Sequence, residues 1–342
     1  MPAGINPGGL SPLLAHPMKH LVLGHARDAH AQHVLAQLTL RGHDAMLVET
    51  HKFPLSVALS VYPGSNSGDL TIDGVTVELG EIGSVYWRNF CGVTAETTRA
   101  NRGSATDIAH FDSMACLRSW FQMKNGTRWC NSWDAYQMHQ EKPRQLEVVA
   151  QTGVTIPETY IGNNADKIIA FCSRVDSVIF KPVYGGAHTQ RVTAAHLNPE
   201  HLRAALAQSP VTLQRMIEGT NIRTYVIGEQ IFSAELPTDE VDFRSDAASR
   251  PFPIDTPAAI AQQSRVIRQV LGMEWTAIDW RRDADGQYFF LEANPSPMFM
   301  GFEKMCGYPL TEALLDLMTG SSDLTRSQSP GVENDLSMNA PA

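Results

Sequence analysis

An α/β protein with mixed sheets is predicted by three features of the sequence. The chain has 342 residues, which at roughly 100 to 200 residues per domain suggests two or three folded units. Strand-like and helix-like apolar patterns alternate from residue 20 onward. Several short strands are separated by turn signals such as Asp73-Gly74 and Asp285-Gly286, which are typical of antiparallel hairpins.

Composition and charge exclude several classes of protein. Hydrophobic residues make up 43% and charged residues 18% of the chain, which is typical of a globular protein and not of a disordered or collagen-like one. The net charge of -9 offers no global positive field, so we expect neither a nucleic-acid partner nor a membrane partner. The five cysteines form no Cys-x-x-Cys pair, which favours reduced thiols and a cytoplasmic location.

Residues 20–126 are predicted to form a first α/β domain. Leu21–Leu23 is a short apolar strand, and Asp28 begins a helical pattern that stops at Gly42. The turn between them lacks the second and third glycines of a dinucleotide-binding turn, which argues against NAD or FAD. The other predicted elements of this domain are the strand Ala45–Val48, the hairpin Leu70–Leu79, the strand Ser84–Arg88 and the helix Ser104–Lys124.

A central subdomain at 127–210 and a C-terminal subdomain at 211–320 are predicted next. The central elements are the helix Asp134–Thr152, the strand Thr159–Ile161, the helix Ala165–Arg174 and the strand Ser177–Pro182. The C-terminal elements are the hairpins Arg223–Leu236 and Trp275–Ala293, with the helix Thr256–Gly272 between them. The end segments 1–19 and 321–342 lack periodicity, and we expect both to be disordered.

The last hairpin is predicted to bring two carboxylates together. If Asp285-Gly286 is a two-residue turn, Ala284 pairs with Gln287 and, counting back, Asp279 lies directly opposite Glu292. Directly opposed residues have Cβ atoms about 5 Å apart, and like charges there destabilise a sheet unless they are neutralised.

Asn294 is predicted to join this carboxylate pair, because side chains two residues apart share one face of a strand. Two carboxylates and an amide oxygen are hard ligands of the kind that Mg²⁺ prefers. The alternative is a solvated acidic edge. The apolar neighbours Trp280 and Phe290 disfavour that alternative, since they indicate a buried hairpin where unpaired carboxylates would be costly.

Lys181 ends an apolar strand beside a glycine pair. Its ammonium group would stand next to Gly185-Gly186, whose backbone N–H groups can cover phosphate oxygens. The pattern favours a phosphate site that is not a Walker loop, and a solvated lysine is the alternative. Arg223 and Arg244 flank the first hairpin of the C-terminal subdomain, where they would add positive charge or form surface ion pairs.

Two polar patterns of the first domain have competing interpretations. Arg88 lies at a strand end, where open sheets place ligands, so we treat it as a candidate anchor for a substrate carboxylate. The alternative is an ordinary ion pair. His25, His30 and His33 are close in sequence, but no neighbouring carboxylate or cysteine completes a ligand set, so we expect no metal there.

Several blocks occur in a fixed order within residues 130–320: Phe180–Gly186, Leu213–Gly228, Asp242–Asp246, Ala277–Trp280 and Phe290–Pro297. Together they resemble the ATP-grasp ligases. The similar branch contains the RimK-type ribosomal-protein glutamate ligases and the ligases that macrocyclise microviridin-type ribosomal peptides. The resemblance implies an ATP-grasp fold preceded by an α/β N-terminal domain, with ATP between the central and C-terminal subdomains.

The resemblance also implies a set of site residues and two cofactors, ATP and Mg²⁺. Contacts to ATP would come from Lys142, Lys181, Gly185, Gly186, Gln214, Arg215, Met216, Ile217 and Asn221. Within this set, the two lysines would hold phosphates, Arg215 and Met216 would offer backbone groups to adenine, and Asn221 would lie near the ribose. Arg244 and Arg223 would be catalytic, with Arg244 at the transferred phosphoryl group. Mg²⁺ would be held by Asp279, Glu292 and Asn294.

The sequence departs from the family pattern at three places. Asn221 replaces the usual aspartate, the glycine loop is poor in glycine, and Met298–Met300 follows where glycine is common. We favour packing as the role of that apolar segment.

The implied activity is an ADP-forming ligase that forms C–N bonds or esters through an acylphosphate. The substrate would be a peptide or protein carboxylate, joined to an amine or hydroxyl as in ribosomal peptide maturation. A small-molecule amino-acid or dipeptide ligase is the alternative. A nucleotide-binding pseudoenzyme is disfavoured because the metal set is complete. The acyl donor, the acceptor and the presence of a homodimer are left open.

Overall fold

The computed structural model describes residues 18–96, 102–123, 125–185, 187–238 and 250–320. Within these ranges the chain forms sixteen strands in four sheets, together with nine α-helices. The predicted mixed α/β class is confirmed. Of the two end segments predicted to be disordered, only Met18 and Lys19 lie inside the described residues, and Lys19 begins the first strand.

The first sheet is parallel, with strand order β2-β1-β6-β7. Its strands are β1 (Lys19–Leu23), β2 (Ala45–Val48), β6 (Ile82–Trp87) and β7 (Arg128–Cys130). The inner strands β1 and β6 are buried along most of their length, as expected for a sheet covered on both faces. The strand β7 starts two residues beyond the predicted end of the first domain at 126, and the domain limits remain a proposal.

Two helices of the first domain begin at polar caps. In α1 (Ala29–Leu40), the Asp28 side chain accepts a hydrogen bond from the Ala31 N–H at 2.8 Å. In α2 (Ala105–Phe121), the Ser104 hydroxyl accepts one from the Asp107 N–H. Both starts agree with the predicted helices. Two 3₁₀ helices also belong to this part of the chain, Thr50–Lys52 and Leu79–Glu81.

A three-stranded antiparallel sheet lies beside the first sheet. Its strands are β3 (Val57–Tyr62), β4 (Ser67–Ile72) and β5 (Val75–Glu78). The predicted turn at Asp73-Gly74 is confirmed, because both residues have positive φ (46° and 87°), as a tight hairpin turn requires. The strand β3 was not among the elements predicted from the sequence.

The middle of the chain forms an antiparallel sheet of order β10-β9-β11-β8. The strands are β8 (Thr159–Gly162), β9 (Val178–Pro182), β10 (Gln190–Arg191) and β11 (Val211–Arg215). The helices of this region are α3 (Trp133–Gln140), α4 (Lys142–Ala150), α5 (Ala165–Arg174) and α6 (Pro199–Leu206), with a 3₁₀ helix at Ala194–Leu197.

The single helix predicted over Asp134–Thr152 is wrong, because the chain forms two helices there. Glu141 separates them and has non-helical dihedrals, φ -96° and ψ 59°. Pro143 lies in the first turn of α4, where a missing N–H costs nothing. In one continuous helix it could not donate to the carbonyl of His139, and its ring would clash with that carbonyl. The break places Lys142 at the N-terminus of α4.

The last sheet is antiparallel, with order β14-β13-β12-β15-β16. Its strands are β12 (Thr220–Ile227), β13 (Gln230–Leu236), β14 (Phe252–Ile254), β15 (Trp275–Arg282) and β16 (Tyr288–Asn294). The associated helices are α7 (Ala258–Val270), α8 (Met300–Cys306) and α9 (Leu310–Thr319). The predicted turn at Gly228-Glu229 is confirmed. None of the described helices is both long and apolar enough to cross a membrane.

The hairpin of β15 and β16 has the predicted pairing of its carboxylates but a different turn. Asp279 does lie opposite Glu292, as predicted. The turn, however, has three residues, 284–286, and Trp280 pairs with Phe290. A bulge at Leu291 restores the register between these pairs. Because of the bulge, Phe290 can enter the core while Glu292 faces the same side as Asp279.

Candidate active site

Asp279 and Glu292 form the centre of the candidate site, and each is bound to a cation. The Arg223 guanidinium donates two hydrogen bonds to Asp279, Nε to Oδ1 at 2.7 Å and Nη2 to Oδ2 at 2.8 Å. The Lys142 ammonium donates to Oε2 of Glu292. Side chains from β12 and α4 therefore neutralise the facing carboxylates, whose like charges would otherwise destabilise the sheet.

These contacts fix the charges of the site. Burial raises the pKa of Glu292, but the charge and hydrogen bond of Lys142 outweigh it and hold that pKa below its ordinary value. Burial lowers the pKa of Arg223, but Asp279 more than offsets this, so the pKa is raised. Both groups are therefore ionised near neutral pH, and the site has anionic oxygen donors.

Asn294 completes the predicted donor set. It pairs with Ala277 across the hairpin and shares a strand face with Glu292. Its Oδ1 accepts a hydrogen bond from the Ser296 N–H at 2.8 Å, and an amide oxygen keeps a second lone pair. Two carboxylates and this oxygen fit a hard divalent cation such as Mg²⁺.

Lys181 and Gln214 lie on neighbouring strands of the middle sheet. The Lys181 ammonium lies 3.4 Å from Oε1 of Gln214, and the buried Gln214 amide donates to the Thr159 hydroxyl at 2.9 Å. The positive charge of Lys181 also lowers the pKa of Glu292, which lies on β16 of the last sheet. The two predicted phosphate lysines therefore act on one carboxylate.

The glycine loop approaches Lys142. Gly185 has a φ of 119°, and a Cβ built on it would lie 3.8 Å from the Lys142 Nζ. A side chain here would be strained because of the positive φ, although 3.8 Å is an ordinary contact distance. Gly186 and Arg244, two other predicted site residues, lie outside the described residues.

The predicted adenine hinge follows β11. The N–H of Arg215 donates to the Glu158 carbonyl, and the N–H of Met216 donates to the Ser177 carbonyl, both at 2.8 Å. Ile217 differs from them, because its N–H has no acceptor in the described part of the chain.

Asn221 lies on β12 next to this hinge. Its Oδ1 accepts from Nη1 of Arg281 at 3.0 Å, and Nε of the same guanidinium donates to the Ile217 carbonyl at 2.9 Å. The Nδ2 of Asn221 is buried without a partner among the described residues. An unsatisfied buried donor is costly, so this group is suited to a ligand oxygen.

Arg88 connects the first sheet to the loop after β16. It donates from Nε to both oxygens of Asp28, at 3.0 and 3.1 Å, and from Nη1 to the Ser296 carbonyl at 2.8 Å. The Ser296 hydroxyl donates back to the Arg88 carbonyl at 2.5 Å. The ion pair considered as the alternative for Arg88 is present, and its role as a substrate anchor stays a prediction.

The histidines are arranged differently from the sequence pattern. Among the described residues, His25, Glu49 and His51 are close enough to hold a metal ion, whereas His30 and His33 are not in that group. Glu49 is already held by the Lys52 ammonium and the Ala26 N–H. His25 Nδ1 accepts from the Arg27 N–H, whereas the buried Nδ1 of His51 has no partner among the described residues. The expectation that no carboxylate neighbours these histidines is therefore wrong for His25.

Two buried amides that contact the hairpin of β15 and β16 were not predicted from the sequence. Gln145 on α4 bonds the backbone of Ala293. Asn131, after β7, donates to the carbonyls of Trp275 at 2.8 Å and Pro295 at 2.6 Å. The only local signal was the three-residue spacing from Lys142 to Gln145, which places both on one helix face.

Comparison with known proteins gives a consistent result. A sequence model described as the RimK-like ATP-grasp domain matches residues 139–318. A curated protein of Stenotrophomonas maltophilia strain K279a, named "Probable alpha-L-glutamate ligase", is 26% identical over 208 residues, covering 56% of this chain and 69% of that protein. A protein of the same name from Xanthomonas euvesicatoria pv. vesicatoria strain 85-10 is 28% identical over 203 residues, covering 56% and 68%.

Solved structures match over more of the chain. The ATP-grasp ligase PsnB complexed with minimal precursor superposes with a TM-score of 0.77 at 27% identity, covering 89% of this chain and 98% of that chain. The macrocyclase MdnC of Microcystis aeruginosa MRC, bound with precursor peptide MdnA, gives a TM-score of 0.75 at 23% identity, covering 89% and 100%. This second likeness concerns the fold alone.

Proposed function

The chain belongs to the RimK-like ATP-grasp family and is an ATP-dependent ligase, and from this premise we propose that it joins a peptide carboxylate to an amine or hydroxyl. The observation that carries the proposal is the convergence of two lysines on one carboxylate: Lys142 binds Glu292, and the charge of Lys181 also acts on it. Glu292 in turn faces Asp279 across the hairpin. Cations and hard oxygen donors in one place suit a nucleotide with its metal.

Mg²⁺ would be held by Asp279, Glu292 and Asn294. When bound, it neutralises charge on the phosphate oxygens. Lys142 would then exchange Glu292 for a phosphate oxygen, and Lys181 would supply a second ammonium from the end of β9. The backbone beside Gly185 can approach the phosphates closely because no side chain intervenes.

The adenosine of ATP would occupy the hinge after β11. The N–H of Ile217, which has no acceptor among the described residues, suits an adenine ring nitrogen. The N–H groups of Arg215 and Met216 are already bonded to the carbonyls of Glu158 and Ser177. The buried Nδ2 of Asn221 suits a ribose hydroxyl. Gln214 orients Lys181 from the neighbouring strand.

The reaction would proceed in two transfers. A substrate carboxylate oxygen attacks the γ-phosphorus, and the bond from this phosphorus to the bridging oxygen breaks. The products of this first transfer are ADP and an acylphosphate. An amine or hydroxyl then attacks the acyl carbon, loses its proton, and expels inorganic phosphate. Arg223 and Arg244 would stabilise the transferred phosphoryl group, so the chain contributes mainly positioning and charge. Arg88 would anchor a substrate carboxylate if it released Asp28.

A peptide substrate is supported by the related structures of PsnB, which hold a minimal precursor and, in another complex, the precursor peptide PsnA2. The names of the curated relatives support a second candidate, ligation of glutamate, which we propose acts on a protein or peptide. The small-molecule amino-acid or dipeptide ligase is less supported, because the PsnB structures hold precursors.

Mass spectrometry separates these candidates. The protein is incubated with ATP, Mg²⁺, glutamate and synthetic peptides containing Asp or Glu together with Lys, Ser or Thr. Loss of one water from a peptide supports ligation within the peptide, and gain of a glutamyl residue supports the second candidate. Glu292→Gln keeps the size of the side chain and removes its charge, so turnover should fall at least about 100-fold. Undiminished turnover in this variant contradicts the metal assignment.

A further inference from the structure

Side chains from two helices bond the outer edge of strand β16 at Ala293. Gln145 of α4 bonds both backbone groups, and Nδ1 of His139 of α3 lies 3.1 Å from the carbonyl. Gln145 is 1% exposed, and its amide makes both hydrogen bonds that a neighbouring strand would make to Ala293. Its Nε2 donates to the Ala293 carbonyl at 2.9 Å, and its Oε1 accepts from the Ala293 N–H at 2.8 Å. Gln145 thus takes the place of an additional strand at this residue.

Ala293 is the residue between two candidate metal ligands. Glu292 and Asn294 flank it, and their side chains project to the opposite side of the strand from that of Ala293. Fixing both backbone groups of Ala293 therefore fixes the peptide planes from which the two ligands extend. Lys142, one turn earlier on α4, holds the Glu292 carboxylate itself.

We propose that Gln145 is a positioning residue for the metal ligands Glu292 and Asn294. The proposal rests on the proposed function, which places Mg²⁺ at these residues. Packing alone does not account for a glutamine here, because Leu146 and Val149 beside it on α4 are apolar members of the core. A buried amide is retained at low cost only where both its donor and its acceptor are paired.

A second amide next to this segment supports the same reading. Asn131 donates to the Pro295 carbonyl, while its Oδ1 accepts from the Glu274 N–H at 2.5 Å. The segment after Glu292 is therefore fixed at Ala293 and at Pro295. The candidate ligand Asn294 lies between the two fixed residues.

The test compares Gln145→Met with Gln151→Met. Methionine keeps the length of the side chain and loses both hydrogen bonds. Gln151 follows α4 at its C-terminus, is exposed, and bonds only Glu147 at 2.8 Å, so it is a matched control. Binding of Mn²⁺, a spectroscopic substitute for Mg²⁺, is measured by electron paramagnetic resonance with saturating ADP, and folding is checked by urea unfolding without metal.

We expect Mn²⁺ to bind Gln145→Met about 10- to 100-fold more weakly than wild type, with Gln151→Met unchanged. Turnover of Gln145→Met should recover as Mg²⁺ is raised. A folded Gln145→Met with wild-type Mn²⁺ affinity would overturn the proposal, since a purely structural role lowers stability and leaves metal affinity unaltered.

Two further measurements keep the outcomes distinct. If wild type binds no Mn²⁺ with ADP, or Glu292→Gln binds it equally well, the proposed function fails and not the role of Gln145. If Gln145→Met does not fold, hydrogen exchange of backbone amides in metal-free wild type tests the proposal instead. The Ala293 N–H should then exchange as slowly as the core strand β12, and rapid exchange would reject the proposal.

Discussion

Arg223→Met should destabilise the metal-free protein strongly, and the loss should shrink when metal and nucleotide bind. The guanidinium makes a bidentate contact with Asp279, and the two side chains are only 17% and 16% exposed. Removing one partner leaves an uncompensated buried carboxylate. A bound Mg²⁺ would supply the missing positive charge.

The size of the effect follows from the burial. Breaking a buried pair on one side costs about 3–5 kcal/mol, and the residual exposure favours the lower end. Contact between the guanidinium and the Phe302 ring, 5.4 Å from its centroid, contributes about 0.5–1 kcal/mol more. The combined loss of about 3.5–4 kcal/mol lowers the melting temperature by about 7–16 °C, at about 2–4 °C per kcal/mol.

Thermal unfolding of wild type and Arg223→Met, each with and without Mg²⁺ and ADP, measures both parts of the prediction. Arg282→Met is the matched control. Arg282 pairs with Glu235 at 2.8 Å in the same sheet, away from the carboxylate pair. Mg²⁺ and ADP should raise the melting temperature of Arg223→Met more than that of wild type, and should raise Arg282→Met no more than wild type. An equal increase in all three proteins would refute the reasoning.

Two further predictions concern stability and the hinge. Burial raises the pKa of Asp28, but its bonds to Arg88 outweigh burial and hold this pKa below its ordinary value. The ion pair therefore stabilises the fold above about pH 4, and this stabilisation is lost as the pH falls through the native pKa of Asp28. Asp28→Asn should therefore cost about 1.5–3 kcal/mol at pH 7 in urea unfolding and converge with wild type in acid; a constant difference would contradict the ion pair. Gly219→Ala should lower the free energy of unfolding by about 2 kcal/mol or more, because φ is 141° and the new Cβ would lie 2.0 Å from the Arg282 carbonyl oxygen. It should also raise the KM for ATP, because Gly219 lies in the predicted adenine hinge. Gly286→Ala, with φ 81° and no atom within 4 Å of its Cβ, should cost about 1 kcal/mol and leave the KM unchanged; equal KM values in both variants would reject the hinge argument.

The sequence predicted what is determined by local periodicity and by short turns. Both turns at Asp73-Gly74 and Gly228-Glu229 are formed, and Asp279 faces Glu292 although the turn beyond them is longer than expected. The bulge could not be predicted, because strand alternation alone does not reveal where one strand holds an extra residue.

Contacts between segments that are distant in sequence could not be predicted. Gln145 and Asn131 touch the hairpin of β15 and β16 across more than a hundred residues of sequence, and no local pattern encodes such a contact. The break before Lys142 had a visible signal in Pro143, but the helical pattern continues across it. His25 comes close to Glu49 and His51 only because β1 and β2 are adjacent in the parallel sheet.

The bulge at Leu291 compensates for the odd length of a surface loop. Twelve residues, 280–291, separate Asp279 from Glu292, and they comprise four paired residues on each strand, three loop residues and the bulge. With the same twelve residues, a two-residue turn and five unbulged pairs would also place the two carboxylates opposite each other. Within a lineage that keeps this spacing, a three-residue loop should therefore be inherited with the bulge, and a two-residue loop without it.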